Sequence, residues 1–381
     1  MSIASKTTRT SPHGVDTVLL FIVGILVAAG FLIFSSASLG LLARQGASFG
    51  SVAFSQFVFG VIGGGLALFL TANIYYRHWR RFAFYIFLLS LLATVAVFIP
   101  GIGMSHGGAT RWLDLGITSI QPSEFLKIGF VIYMATWFSG MQRHITDWRF
   151  GLLPFVGAVG IVGVVMLAQP DTDTFLIIAC AGMAMYLAAG AKWQHIVGII
   201  LSGAILLGAV AMVRPYVMER LTTFMHPEAD PLGSGYQIQQ SLIAIGSGGA
   251  FGRGFGQSIQ KFEYLPEPIG DSIFAVYAEE FGFLGAAVLI IGLVCLALRG
   301  FKTAAQADDI FGTLLVTGFI SLIITQAFLN IAAMTGMAPL SGLPLPFISH
   351  GGTSLMATLA SLGIVLNVSK YRTLSKPSVV K

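Results

Sequence analysis

The chain has 381 residues, 55% of them hydrophobic and only 10% charged, with a mean hydropathy of +0.84. A soluble domain carries roughly 25% charged residues, so that class is excluded, and the recurring apolar runs of about 20 residues read as a polytopic membrane protein. The net charge of +5 gives no reason to expect a nucleic-acid partner, because the basic residues gather at the ends of apolar runs, where they orient a membrane protein.

Residues 1–16 are polar and read as a tail. Spans are expected at 17–42, 49–70 and 82–100, the third following the basic cluster Arg77, His78, Arg80 and Arg81 and stopped by Pro100-Gly101. After a polar loop, a fourth span (121–139) opens on Gln121-Pro122-Ser123-Glu124. Pro122 near the first turn and Glu124 near the positive helix end are good start signals. The fifth (151–168) and sixth (173–190) flank Gln169-Pro170-Asp171-Thr172-Asp173-Thr174, and the seventh covers 194–213. One long loop, 214–270, separates it from the eighth span (271–298). The ninth (309–331), a Pro- and Gly-rich connection and the tenth (351–369) complete the series, before a basic tail at 370–381. The expected fold is therefore all-α: a single ten-helix transmembrane domain over 17–369, with its large loop between helices 7 and 8.

Ten spans place both termini on one side. Fourteen Lys and Arg residues fall on that side and six on the other, with Lys127 inside a span. The positive-inside rule then makes both termini cytoplasmic and the loops at 101–120, 169–174, 214–270 and 332–350 extracytoplasmic. Cys180 and Cys295 lie in apolar runs and read as inert core thiols.

The outer face holds most of the acids, and residues 235–285 are its most polar stretch. Asp271 precedes the eighth span. It reads as a helix N-cap, and a carboxylate fixed there also suits general-base work toward a sugar hydroxyl. Glu279 and Glu280 are acids inside a span, so each needs a partner or a function. Adjacent helical positions point about 100° apart, so at most one of them faces with Asp271. Lys127 is their natural counter-ion, although Glu124, three residues earlier, can also pair with it. Arg111 suits bidentate phosphate binding; Trp112 suits either stacking on a sugar or anchoring at the interface. Arg253, among glycines, is a second phosphate candidate. Asp171 and Asp173 read as helix caps or cation holders, and His350 as a loop histidine.

Several stretches together resemble one family. GATRWLDLGITSIQPSEFLKIGF, GYQIQQSLIAIGSGGAFGRGFGQS, KFEYLPE, DSIFAVYAEEFGFLG and GLPLPFISHGGTSL are similar, nearly end to end, to the SEDS proteins (shape, elongation, division and sporulation), the FtsW/RodA group. SSAS at 35–38 and EYLPE at 263–267 lean toward the division branch. The resemblance implies a glycosyltransferase that polymerises lipid II beside a class B penicillin-binding protein within a division or elongation complex. It implies that Asp271 is the essential acid and that Arg111, Trp112, Glu124 and Lys127 stand at family positions; Arg253, Glu267 and Glu280 complete the candidate substrate-binding set. No resident cofactor or metal site is legible, and a divalent cation is the one added group considered. A lipid II flippase and a non-catalytic scaffold for the transpeptidase are the rival expectations. Ile269-Gly270 replaces the family's usual His-Thr, and Asp173 stands where Gly is usual.

Overall fold

The computed structural model describes residues 14–43, 49–106, 109–114, 119–228, 233 and 235–372. The remainder of the expected tails lies outside the described residues. Among those residues, eight helical stretches are long and apolar enough to cross a membrane: Thr17–Leu42, Val52–Asn73, Arg77–Ala96, Trp148–Ala168, Trp193–Val213, Ile273–Ala305, Ile310–Met334 and Gly352–Ser369. The fourth and sixth expected spans are also helical. They are Pro122–Gly140 (α5) and Thr172–Ala188 (α7), the latter apolar but only 17 residues long.

The first span is α1 (Thr17–Ser38), capped by the Asp16 carboxylate on the Leu19 N–H at 3.1 Å. The second consists of α2 (Phe49–Ser55), a π turn (Gln56–Ile62) and α3 (Gly63–Asn73). The third, α4 (Arg77–Ala96), begins five residues before the expected start. Arg77, Arg80 and Arg81 therefore sit in its first turns, where Arg77 pairs with Asp308 and Asp309 at 2.7 Å. The outer loop expected at 101–120 instead forms a small antiparallel sheet, β1 (Gly103–His106), β2 (Ala109–Asp114) and β3 (Ser119–Ile120), in the order β1-β2-β3. The fold is thus mostly, not wholly, helical. A π turn leads into α6 (Leu153–Ala168), and α8 (Trp193–Val213) is the seventh span. The large loop contains two further helices, α9 (Pro215–Met225) and α10 (Tyr236–Ser247). Long α11 (Ile273–Ala305), α12 (Ile310–Met334) and α13 (Gly352–Ser369) follow.

Helices α12 and α13 are buried along most of their length and form the middle of the bundle. Around them, α3 lies on α13, α5 on α4, and α7 and α11 on α12. Helix α8 is exposed along nearly all of its length. Lipid tails are as apolar as leucine, so cohesion between these helices depends on close packing and on polar bonds. Tyr186 stacks on Phe138 and Phe155 at 5.3 and 5.5 Å, and those two rings meet tilted at 6.1 Å. Cys180 and Cys295 are exposed on outward helix faces; they are not core thiols.

Helix α11 is broken at Gly282, whose φ of 64° and ψ of −165° no helix contains. In an unbroken helix the N–H groups of Phe283 and Leu284 would bond the carbonyls of Glu279 and Glu280. Here they donate to Gly249 and Ala250 oxygens at 2.9 and 3.1 Å. The freed carbonyls of Glu279 and Glu280 accept from the N–H groups of Arg253 and Gly254 at 3.0 and 2.9 Å. The glycine-rich loop therefore gives these four backbone groups new partners, as required where water is scarce. Gly252 permits the approach: its φ is +80°, and a Cβ there would stand 2.1 Å from the Glu280 carbonyl oxygen.

The irregular segment 335–351 reaches α13 without regular structure. Several of its backbone groups bond buried side chains. Gln56 accepts from the Gly351 N–H and donates to the Ser349 carbonyl, while Gln326 and Asn330 of α12 donate to the carbonyls of Pro344 and Leu343.

Candidate active site

Asp271 stands two residues before α11. The helix cap is Ser272, which makes no side-chain capping bond, so the capping role expected for Asp271 is not taken up. The residue is half-buried, yet its Oδ1 is sealed from solvent and has no hydrogen-bond partner. Burial pushes the carboxyl up to about 7 from an ordinary 3.8; a side-chain hydrogen bond from Gln237 opposes this, and the Glu267 carboxylate adds to it. Such a group is ionised only part of the time near neutral pH, which suits a proton acceptor.

The carboxylate lines a cleft of about 480 Å³. Its walls come from β2 (Arg111), the α6–α7 turn (Pro170), α9 (Tyr216, Glu219, Arg220), α10 (Tyr236, Gln237), Pro266 and residues 340–342. Two guanidinium groups face it. Arg111 is tethered to the carbonyls of Pro170 and Gln169 and stands 3.7 Å from Asp171 Oδ1. Arg220 Nη1 lies 2.6 Å from Asp173 Oδ2, which also accepts from the Gly342 N–H at 3.2 Å. Asp171 caps α7 by accepting from the Thr174 N–H. The arginines are thus held in place by neighbouring oxygens, and planar donor forks suit phosphate oxygens.

The remaining sequence candidates divide into three groups. Glu267 is exposed beside Asp271, with φ at +45°, and its carbonyl accepts from the Gly270 and Ser272 N–H groups, closing the turn before the acid. Trp112 is half-buried on β2, opposite Met104, away from the cleft wall. Glu124 and Lys127 are buried together in the bundle at 2.8 Å, and Lys127 also donates to Gln326 at 2.9 Å. Of the two partners open to Lys127, it takes the local one, Glu124, and not Glu279 or Glu280.

The intramembrane acids hold the loop. Glu280 bonds Lys261 Nζ at 2.7 Å and accepts from Ser36, and Lys261 is wholly buried. Glu279 accepts from Ser258 Oγ and from the Ile259 and Gln260 N–H groups, with Arg253 3.5 Å away. Neither acid lines the cleft, and Arg253 is occupied with Glu279. Sequence reading missed Tyr216, Arg220, Tyr236, Gln237 and Lys261. The amphipathic character of α9 was the one available signal for the first two; nothing in the sequence distinguishes Lys261 from a surface lysine.

Fold and site together define an integral membrane helical bundle that carries a buried carboxyl in an arginine-walled cleft. Residues 16–374 match the cell cycle protein family of FtsW, RodA and SpoVE. Stage V sporulation protein E of Bacillus subtilis is 39% identical over 96% of this chain and 99% of its own. A probable peptidoglycan glycosyltransferase FtsW of Geobacter is 36% identical over 94% and 97%. Among solved structures, a chain from a peptidoglycan synthase complex described as coordinating polymerization and crosslinking superposes with TM-score 0.78 (28% identity, 93% of this chain, 97% of that one). The rod shape determining protein RodA of Thermus thermophilus superposes with TM-score 0.69 (26% identity, 95% and 98%). The chain belongs to the FtsW/RodA/SpoVE family.

Proposed function

We propose that this protein is a peptidoglycan glycosyltransferase that polymerises lipid II, the undecaprenyl pyrophosphate-linked disaccharide-peptide, at the outer face of the bacterial cytoplasmic membrane. The observation that carries the reading is the unpartnered, buried Oδ1 of Asp271 beside the cleft that Arg111 and Arg220 share. Asp271 accepts the proton of the acceptor's GlcNAc 4-hydroxyl. The freed oxygen bonds to the anomeric carbon of the donor's MurNAc from the face opposite the leaving group. The bond from that carbon to the phosphate oxygen breaks, the pyrophosphate keeps the electron pair, and the anomeric centre inverts. Arg111 and Arg220 offset the leaving group's charge; a divalent cation, if bound with the pyrophosphate, would add to that counter-charge. Gln237, which donates to Ser272 Oγ at 3.0 Å, holds the residue next to the carboxylate.

The donor is already activated, so no nucleotide site is needed. Both termini lie in the cytoplasm, as the basic residues at the ends of α11 and α13 and the start of α4 support. A class B penicillin-binding protein crosslinks the product; septal synthesis is the role that SSAS and EYLPE favour. The flippase reading draws on the intramembrane charges, but Glu280 is engaged by Lys261 and Lys127 by Glu124, so none is free to move with a substrate. The test is polymerisation of lipid II by the purified protein with its transpeptidase. The Asp271→Asn variant should make no glycan, and normal polymer from it would sink the assignment.

A further inference from the structure

We infer that Asn330 on α12, acting with Ser349, is a positioning residue that sets the height and direction of Asp271; this rests on the reading of Asp271 as the base. Three successive carbonyls lead into that acid, and each is taken by a different donor. Ile269 O accepts from the His350 N–H at 2.7 Å, Gly270 O from Ser349 Oγ at 2.6 Å, and Asp271 O from Asn330 Nδ2 at 2.7 Å. No side chain on the loop itself performs this task, since Ile269 and Gly270 have no polar side chain.

The donors are themselves fixed. Asn330 is wholly buried, and its amide also donates to Leu343 O at 2.8 Å. Gln326, one helical turn earlier on the same face, donates to Pro344 O at 2.8 Å and accepts from Lys127. Ser349 Oγ accepts from the Leu345 N–H at 2.7 Å while donating to Gly270. A chain of bonds therefore runs from the Glu124–Lys127 pair through α12 and the irregular segment to the loop that bears the acid. Asn330 Oδ1 is buried without a partner. An orphaned acceptor is a cost that a leucine would avoid, so the amide is retained for its two donors. This places Glu124 and Lys127 at the remote end of that chain of bonds.

The titratable and charged groups around Asp271 are Glu267 on its own loop, His350 on the irregular segment, Arg111 on β2, and Tyr216, Glu219 and Arg220 on α9, with Tyr236 on α10. Substitution at Asn330 alters none of these charges. What it alters is how tightly the carboxyl is held away from water.

The experiment compares wild type, Asn330→Ala, Ser349→Ala and Asp271→Asn, each full-length in complex with the transpeptidase, on lipid II across a pH series. Asn330→Ala is expected to lower kcat roughly 100-fold, the scale on which small misplacements act, with KM unchanged. Its acid limb should also move to lower pH, because a loosened loop admits water to the carboxyl. Wild-type kcat overturns the proposal, as does a loss that tracks folded protein equally at every pH. Should Asn330→Ala not fold, Ser349→Ala is read by the same two criteria. An active Asp271→Asn instead overturns the base assignment itself, which separates the two failures.

Discussion

Asp271 combines two properties that folding alone would not keep together: a buried carboxylate oxygen with no donor, and a nearby acid, Glu267, that raises its pKa further. Two outcomes follow at this scale. Polymerisation should rise with pH through about 7, because the base proposed at Asp271 acts only when ionised; initial rates between pH 5 and 9 check this. The linkage sign for stability is the reverse. The folded-state pKa lies above the unfolded value, so the folded state holds the proton longer. Stability attributable to this group is full below about 4 and falls as pH rises to about 7. The loss is at most about 4 kcal/mol at 1.36 kcal/mol per pKa unit. Asp271→Asn should therefore melt higher than wild type at pH 8 while losing activity, and the difference should vanish near pH 4. Across the cleft, Arg220→Ala should weaken substrate use and leave the melting temperature nearly unchanged, since its partner Asp173 keeps the Gly342 N–H. A steady-state KM for lipid II tests it.

At the scale of elements, the broken α11 and its loop are one unit. The Lys261–Glu280 pair is wholly inside the protein, and removing one partner of such a pair costs about 3–5 kcal/mol because a buried charge is left alone. Glu280→Gln or Lys261→Met alone should thus lower the detergent melting temperature sharply, and the double substitution should recover most of the loss. If the double variant is no better than the worse single one, the two residues are not coupled. Gly282→Ala should fail more severely, since its φ is +64° and a Cβ would stand 2.3 Å from Gly252 N; yield of folded protein is the measure. The positions of the helices were legible from apolar runs and turn residues. The break was not, because a glycine inside a 33-residue apolar helix carries no mark of its φ. Nor was the small sheet at 103–120, where short strands pair through backbone and leave little pattern.

For the whole molecule, the basic ends of α4, α11 and α13 are joined by ion pairs at one end: Arg77 with Asp308 and Asp309, and Arg299 and Arg372 with Asp16. The cleft gathers α9, α10, β2 and the entrance to α11. By itself the sequence determined the membrane character, the order of helices, the family resemblance and the acid to mutate first. All of these rest on composition, period and motif, which are local quantities. It could not show that Glu280 meets Lys261, that Lys127 also reaches Gln326, that Arg220 joins Arg111, or that Asn330 carries the backbone of Asp271. Those partners are separated by 19 to 199 residues in the chain. A buried charge or amide must find a partner wherever packing brings one. Periodicity records which face of a helix turns inward, and only the assembled bundle decides what that face meets.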